Sequence, residues 1–213
     1  MPPVGIHIKN SDRAFIVGTT GSGKTTLARA LLCNRPDVVI VDPKGGFEWD
    51  STYRPKAGGL ITDDFALVQG WEGPAPIIYR PTIAVAAHGM EPFWHWVWER
   101  RHTLVYIDEA AMLCPTRGVI PGGLARAIQQ GRQREISVWS ATQRPANIPV
   151  PLLSESEHVF TFRLRNPDDL KRMADYTDPA IRNEPVSGHD FYYYGDRENV
   201  LLRTNLNALS LRR

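Results

Sequence analysis

One stretch constrains this chain more than any other: Gly18-Thr19-Thr20-Gly21-Ser22-Gly23-Lys24-Thr25-Thr26, which fits the pattern G-x-x-x-x-G-K-[ST]. Glycines at these positions let the backbone curl so that its N–H groups converge on phosphate oxygens. Lys24 then reaches the β- and γ-phosphates of a nucleotide, and the Thr25 hydroxyl is offered to Mg²⁺. Such a loop needs a buried strand before it and a helix N-terminus after it. The flanks meet that condition: Ala14-Phe15-Ile16-Val17 reads as a short buried strand, and Thr26 to Leu32 as the helix. At average composition, four specified positions match by chance in roughly one chain in a hundred of this length. The stretch therefore predicts an α/β fold built around a nucleoside triphosphate site.

Later segments supply the rest of a sheet. Val38-Val39-Ile40-Val41 is β-branched without polar alternation, the mark of a strand covered on both faces. It runs into Asp42-Pro43-Lys44-Gly45-Gly46, at the carboxyl end of a strand, where open α/β sheets place ligands. Ile77-Ile78-Tyr79 reads as another short strand. Leu104-Val105-Tyr106-Ile107-Asp108-Glu109 is four apolar residues ending in two acids, a Walker B pattern. Many strands match that alone, but about eighty residues after a phosphate loop it assigns Asp108 to the Mg²⁺ shell and leaves Glu109 to polarise an attacking water. Ile136 to Thr142 is a further strand, ending in Gln143-Arg144-Pro145. If it neighbours the acidic strand, Gln143 stands beside Glu109, placed to touch a γ-phosphate; the alternative is a side chain that caps the turn.

The last third is expected to hold a strand over His158–Leu164 and a helix opening at Asn166 as N-cap with Pro167 in its first position. A closing hairpin, Phe191–Tyr194 and Val200–Leu202, follows. A length of 213 residues suits one domain, with its core at about 12–165 and a C-terminal helix and hairpin at about 166–205. Val4 to Ile8 is an edge strand or a ring-contacting arm, and Glu48 to Pro74 a connection with a short helix from Asp63 to Gln69. Glu91 to Arg101 reads two ways: a helix puts Trp94, Val97 and Trp98 on one face, whereas a strand aligns Trp94, Trp96 and Trp98. Packing in the core or at a subunit interface outweighs base stacking for these tryptophans.

Charge narrows the partners only locally. The net charge of +2 is weak, but from Ala110 to Arg134 there is no acid, while Arg117, Arg126, Arg132 and Arg134 all occur there. Arg117, in a Pro/Gly-rich loop, and Arg126, on a helix expected over Leu124–Arg132, could track phosphate backbones or simply face solvent. Two cysteines, Cys33 and Cys114, without a secretory leader or a bilayer-length apolar run, point to a reducing cytoplasmic setting without disulfides. The six histidines show no metal-ligand spacing.

Three matches make the chain resemble the FtsK–HerA superfamily of DNA-pumping ATPases, and within it the small genome-packaging ATPases of membrane-containing viruses and phages. Asp42-Pro43-Lys44-Gly45 resembles that family's DPKG motif, and Ala141-Thr142-Gln143-Arg144-Pro145 is similar to its ATQRP motif. Arg132 falls where the family places an arginine that reaches the neighbouring subunit's nucleotide. One departure is that Gly46 stands where the family often has an acid, with Glu48 two residues later, so Glu48 is left out of the site.

The resemblance implies a P-loop NTPase of the RecA/ASCE type: a mainly parallel central sheet flanked by helices, here closed by a C-terminal hairpin. It implies Mg²⁺-dependent ATP hydrolysis, a homo-oligomeric ring, commonly a hexamer, and double-stranded DNA threaded through its channel. Lys24, Glu109, Gln143 and, in trans, Arg132 are then the catalytic set. Arg117, Arg126 and Lys44 are candidate DNA contacts, with Lys44 facing either the nucleotide or the channel. Packaging into a procapsid in the host cytoplasm, with docking at a capsid vertex or a membrane-associated viral protein, is the expected role. A nucleotide-gated assembly ATPase and a small-molecule kinase are the alternatives.

Overall fold

The computed structural model describes residues 4–211 apart from 57, 74, 75 and 198. The chain begins with β1 (Val4–Ile6), β2 (Ala14–Val17), α1 (Lys24–Leu32) and β3 (Val38–Val41). Next come β4 (Leu60–Thr62), α2 (Phe65–Gly70), β5 (Ile77–Tyr79), α3 (Ile83–His88), α4 (Glu91–Arg100) and β6 (Leu104–Ile107). After these stand α5 (Ala110–Leu113), α6 (Gly122–Gln130), β7 (Ser137–Thr142), α7 (Pro151–Ser154) and β8 (His158–Phe162). The chain closes with α8 (Pro167–Tyr176), α9 (Ala180–Asn183), β9 (Phe191–Gly195), β10 (Val200–Thr204) and β11 (Leu209–Leu211).

The main sheet has the order β10-β9-β8-β2-β7-β6-β3-β5-β4. From β8 to β4 every pairing is parallel, and β9 and β10 add the antiparallel hairpin at one edge. The strand before the glycine-rich loop, β2, lies between β8 and β7, and β7 separates it from the acidic strand β6. The carboxyl ends of β2, β7, β6 and β3 therefore open on one edge of the sheet. The residues from Val4 to Ile6 pair in parallel with β11 in a separate two-stranded sheet.

Apolar runs without polar alternation became β2, β3 and β6 at the sheet's centre, where both faces are covered and every residue is buried; β7 beside them is buried throughout although it carries Ser137, Ser140 and Thr142. One face packs Phe15, Val17, Val105 and Ile107 under α4 and α6; the other packs Ile16, Ile40, Tyr106 and Trp139 under α1. Each fully buried Leu, Ile or Phe contributes about 1.5–3 kcal/mol by leaving water.

The ambiguous segment at Glu91 is a helix. Trp94 and Val97 are buried on its inner side, and Trp96 also packs, with its ring 5.9 Å from that of Phe93. A Cβ on Gly123 would meet the Trp94 Cβ at 2.4 Å, so a glycine there lets α6 approach α4 closely. Helix α6 stops at Gln130, two residues before the expected end, and Gly131–Arg134 forms a 3₁₀ turn that leaves Arg132 outside the helix. The Ile136 amide bonding back to the Gly131 carbonyl at 2.9 Å and the left-handed Glu135 make that turn. Two elements were not anticipated: β4 lies in the stretch read as a connection, and α3 in a stretch given no reading. Strand β4 is too short to show a periodicity, and α3 is announced only by Thr82, whose hydroxyl caps the Val85 amide at 3.3 Å.

Candidate nucleotide site

The glycine-rich loop is tied to both neighbouring strands. The Gly18 amide donates to the Thr142 carbonyl at 3.3 Å, and the Thr19 amide to the Arg163 carbonyl at 3.0 Å. Gly21 and Gly23 adopt left-handed φ values of 73° and 109°, which a side chain disfavours. Gly18 is required for a different reason: a Cβ there would lie 2.5 Å from the Phe162 Cβ and 2.6 Å from Ser22 Oγ. Helix α1 begins at Lys24 with no side chain capping its first amides, so those N–H groups and the helix dipole face the loop's interior. Thr19 Oγ1 and Ser22 Oγ are buried without a hydrogen-bond partner among the described residues. His189, just before β9, closes on the same loop, with Nδ1 3.3 Å from the Ser22 carbonyl.

The Lys24 ammonium donates to the carbonyls of Gly18 at 2.7 Å and Thr19 at 3.0 Å. Burial lowers its pKa, and the carboxylates of Glu109 and Asp108 oppose that shift. Asp108 is held through its amide, which donates to the Val41 carbonyl at 3.1 Å, and its Oδ1 accepts the Tyr106 hydroxyl at 3.0 Å. Burial raises the Asp108 pKa, and the negative charges of Asp42 and Glu109 push it the same way. Glu109 is 6% exposed and has both oxygens engaged. Its Oε1 accepts the Thr142 hydroxyl at 2.8 Å, and its Oε2 meets the Lys44 ammonium at 2.9 Å. Gln143 Oε1 accepts the Thr20 hydroxyl at 2.9 Å, linking the tip of β7 to the glycine-rich loop.

Thr25 and Asp108 supply the hard oxygen donors that Mg²⁺ prefers, and Mg²⁺ typically takes one or two protein oxygens with the rest from water and phosphate. An Asp108 carboxylate that is half-buried, crowded by two other acids and engaged by one side-chain hydrogen bond is a group that a cation would neutralise. No cluster of three His, Cys, Asp or Glu residues suited to a metal occurs among the described residues.

The fold brings Gly18 through Thr26, Asp108, Glu109, Lys44 and Gln143 to one edge, and sends the arginines elsewhere. Arg132 precedes β7, at the amino end of the sheet, with its guanidinium 3.5 Å from Glu157. Six residues of strand separate that turn from Gln143, about 17–20 Å. Arg126 stacks on Trp98 at 3.6 Å from the ring centroid, with Arg134 over the same ring at 4.8 Å. Arg117 is exposed in the loop between α5 and α6.

Four residues that shape the site were given no role by the sequence. Thr142 orients Glu109, and Tyr106 holds Asp108. Asp42 staples the loop after β3 by accepting the amides of Gly46 at 3.2 Å and Phe47 at 2.9 Å, with Arg80 at 3.3 Å on the same carboxylate. Phe162 packs against Gly18 and Gly23. Their place at strand carboxyl ends, inside the DPKG-like and ATQRP-like stretches, was the available hint for Asp42 and Thr142.

A phosphate loop on β2, one strand with a polar tip beside it, and the acidic strand beyond that define the P-loop ATPase fold. Solved structures share it. The genome packaging NTPase B204 from Sulfolobus turreted icosahedral virus 2, in complex with sulfate, matches with a TM-score of 0.75 at 16% identity, over 97% of this chain and 100% of that one. Its complex with ATP-gammaS matches at 0.74 and 14% identity, over 93% and 98%. VirB4 of Thermoanaerobacter pseudethanolicus matches at 0.64 and 11% identity, over 94% and 92%. These likenesses show the fold and agree at that level with the FtsK–HerA resemblance. By sequence, no family model and no curated protein matches the chain.

Proposed function

We propose that the protein is an Mg²⁺-dependent ATPase that moves double-stranded DNA, packaging a viral genome into a procapsid. The observation that carries the ATPase reading is the convergence of Lys24, Asp108, Glu109 and Gln143 on one edge of the sheet. Packaging is supported by the likeness to B204 along nearly the whole of both chains.

Each residue has a role in this reading. The loop amides and Lys24 bind and neutralise the phosphates, and their positions are already set by Thr142, Arg163 and Phe162. Thr25 and Asp108 would hold Mg²⁺, which when bound adds charge neutralisation across the β- and γ-phosphates. Glu109 takes the proton of the attacking water as the water oxygen bonds to the γ-phosphorus and the bond to the β-phosphate oxygen breaks, giving ADP and phosphate. Thr142 keeps Glu109 oriented for that step. Gln143, bonded to Thr20, couples the γ-phosphate to the loop.

Arg132 cannot reach its own subunit's site across the length of β7, so it serves a neighbour in a homo-oligomeric ring, a hexamer in this reading. All three DNA-contact candidates are exposed; Arg126 also lies on Trp98 and Lys44 on Glu109, which makes Arg117 the first choice for a phosphate contact in this proposal. The work takes place in the host cytoplasm, at a capsid vertex or a membrane-associated viral protein. Among the described residues no helix is long and apolar enough to cross a membrane. The test is steady-state hydrolysis with and without double-stranded DNA. Strong stimulation that weakens as salt rises is expected, and unchanged turnover would remove DNA translocation from the proposal.

A further inference from the structure

The loop after β3 is fastened at its base and open at its tip. Asp42 is fully buried and holds the Gly46 and Phe47 amides, while Gly45 bends back to the Asp42 carbonyl at 3.1 Å with φ 69°. A Cβ on Gly45 or Gly46 would have no atom within 4 Å, so the tip stands in open space. Lys44 leaves from that tip, its side chain 42% exposed, to reach a Glu109 side chain that is only 8% exposed. The ammonium occupies Oε2 and the Thr142 hydroxyl occupies Oε1. A water that must hand its proton to Glu109 competes with Lys44 for the same oxygen.

Lys44 also has an alternative partner within its surroundings. Its charge acts on Lys24 together with those of Glu109 and Asp108, so two ammoniums and two carboxylates face one cleft. A terminal phosphate bound at Lys24 concentrates more negative charge than a single carboxylate, and a half-exposed lysine on a four-carbon stem can swing without moving the backbone. A diphosphate, lacking that group, gives the lysine no reason to leave.

Resting on the ATPase reading, we propose that Lys44 is a positioning switch: it exchanges Glu109 for the terminal phosphate of a bound nucleoside triphosphate and so frees Glu109 Oε2 for the attacking water. With a diphosphate bound, the Lys44–Glu109 pair stays closed. Hydrolysis thus becomes conditional on a γ-phosphate twice, once through the loop and once through the release of the base.

The test is equilibrium binding of ATPγS and ADP to the full chain and to Lys44→Met, Lys44→Arg, Glu109→Gln and the Lys44→Met/Glu109→Gln double variant. Lys44→Met is expected to weaken ATPγS about tenfold and to leave ADP within about twofold, while Lys44→Arg keeps most of the preference. Glu109→Gln, by releasing Lys44 beforehand, is expected to tighten ATPγS about threefold, and the gain should vanish in the double variant. Lys44→Gln, which keeps a donor for the buried Glu109, repeats the measurement if the methionine chain does not fold. Equal loss for both nucleotides, no loss for either, or a Glu109→Gln gain that persists without Lys44 would overturn the switch. An unaltered chain that binds neither nucleotide would instead overturn the ATPase reading beneath it.

Discussion

Two aspartates, Asp12 fully buried and Asp108 half-buried, stand at opposite ends of the same sheet and are held in opposite ways. Asp12 lies at the amino end, just before β2. Burial alone would raise its pKa, but bonds from His158, the Lys9 amide and Arg197 outweigh that and hold the carboxyl far below the usual range. Its oxygens accept the Lys9 amide at 2.8 Å and Arg197 at 2.6 Å, with His158 at 3.1 Å, and its carbonyl accepts the Trp139 indole at 2.7 Å. At the carboxyl end, Asp108 has the Tyr106 hydroxyl and the charge of Lys24 against burial and two neighbouring acids, and its pKa is raised. A saturated carboxylate is a joint between segments; an unsaturated one in a cleft marks a place where a cation or ligand completes the charge. The basic residues divide the same way. The amino-end arginines lie on Trp98, Glu99 and Glu157, whereas Lys24 and Lys44 face the acids of the cleft.

The largest expected effect tests whether the amino end of one subunit serves the carboxyl end of another. Arg132→Ala should lower hydrolysis by about 10³-fold or more, and Glu109→Gln by about 10²–10⁴-fold. Mixed together, the two inactive proteins should regain part of the turnover, because some interfaces then join an intact Arg132 to an intact Glu109. Mixtures that stay inactive, or full turnover in Arg132→Ala, would break the trans assignment.

Asp12→Asn comes next, as a stability effect. Breaking the buried charge network should cost about 3 kcal/mol at neutral pH in urea unfolding. Because the folded pKa of Asp12 is depressed, its contribution is complete above the ordinary carboxylate value and is lost as pH falls through that value toward the folded one. The gap between the Asp12→Asn and unaltered chains should therefore narrow as the pH is lowered below the ordinary carboxylate range. A gap independent of pH would deny that the charge is what Asp12 contributes.

Thr142→Val keeps the shape of the side chain and removes the hydroxyl that holds Glu109. Turnover should fall about tenfold, with ADP affinity and unfolding midpoint nearly unchanged. The smallest effect sharpens the comparison by its sign. A raised folded pKa means that ionised Asp108 costs stability above the ordinary carboxylate value, so Asp108→Asn should raise the urea midpoint at neutral pH while hydrolysis drops. A fall in the midpoint would make Asp108 a structural group like Asp12.

Much of the site is local in sequence and was legible there. Gly18 to Thr26 needs only its own spacing, Asp108 and Glu109 follow an apolar run readable as a buried strand, and Gln143 ends a segment read as a strand from Ile136 to Thr142. The rest depends on residues far apart in the chain. Glu109 and Thr142 are 33 positions apart, Lys44 and Glu109 65, and Asp12 and Arg197 185. Arg126 and Arg132 were expected on one helix, and only the family resemblance set Arg132 apart. Trp98 claims one of them, and a 3₁₀ turn sends the other to the far end of the sheet.

By itself the sequence determined a phosphate loop between strand and helix, a parallel sheet with polar strand ends, and the identity of the acids, because short-range spacing and unbroken apolar runs carry that information. Only the tertiary structure decided that one strand separates the loop from the acidic strand, that Glu91 begins a helix, that Lys44 turns toward Glu109, and that Arg132 lies beyond reach of its own site. Those outcomes follow from strand order and side-chain packing, which bring together residues whose separation along the chain records nothing of their distance in space.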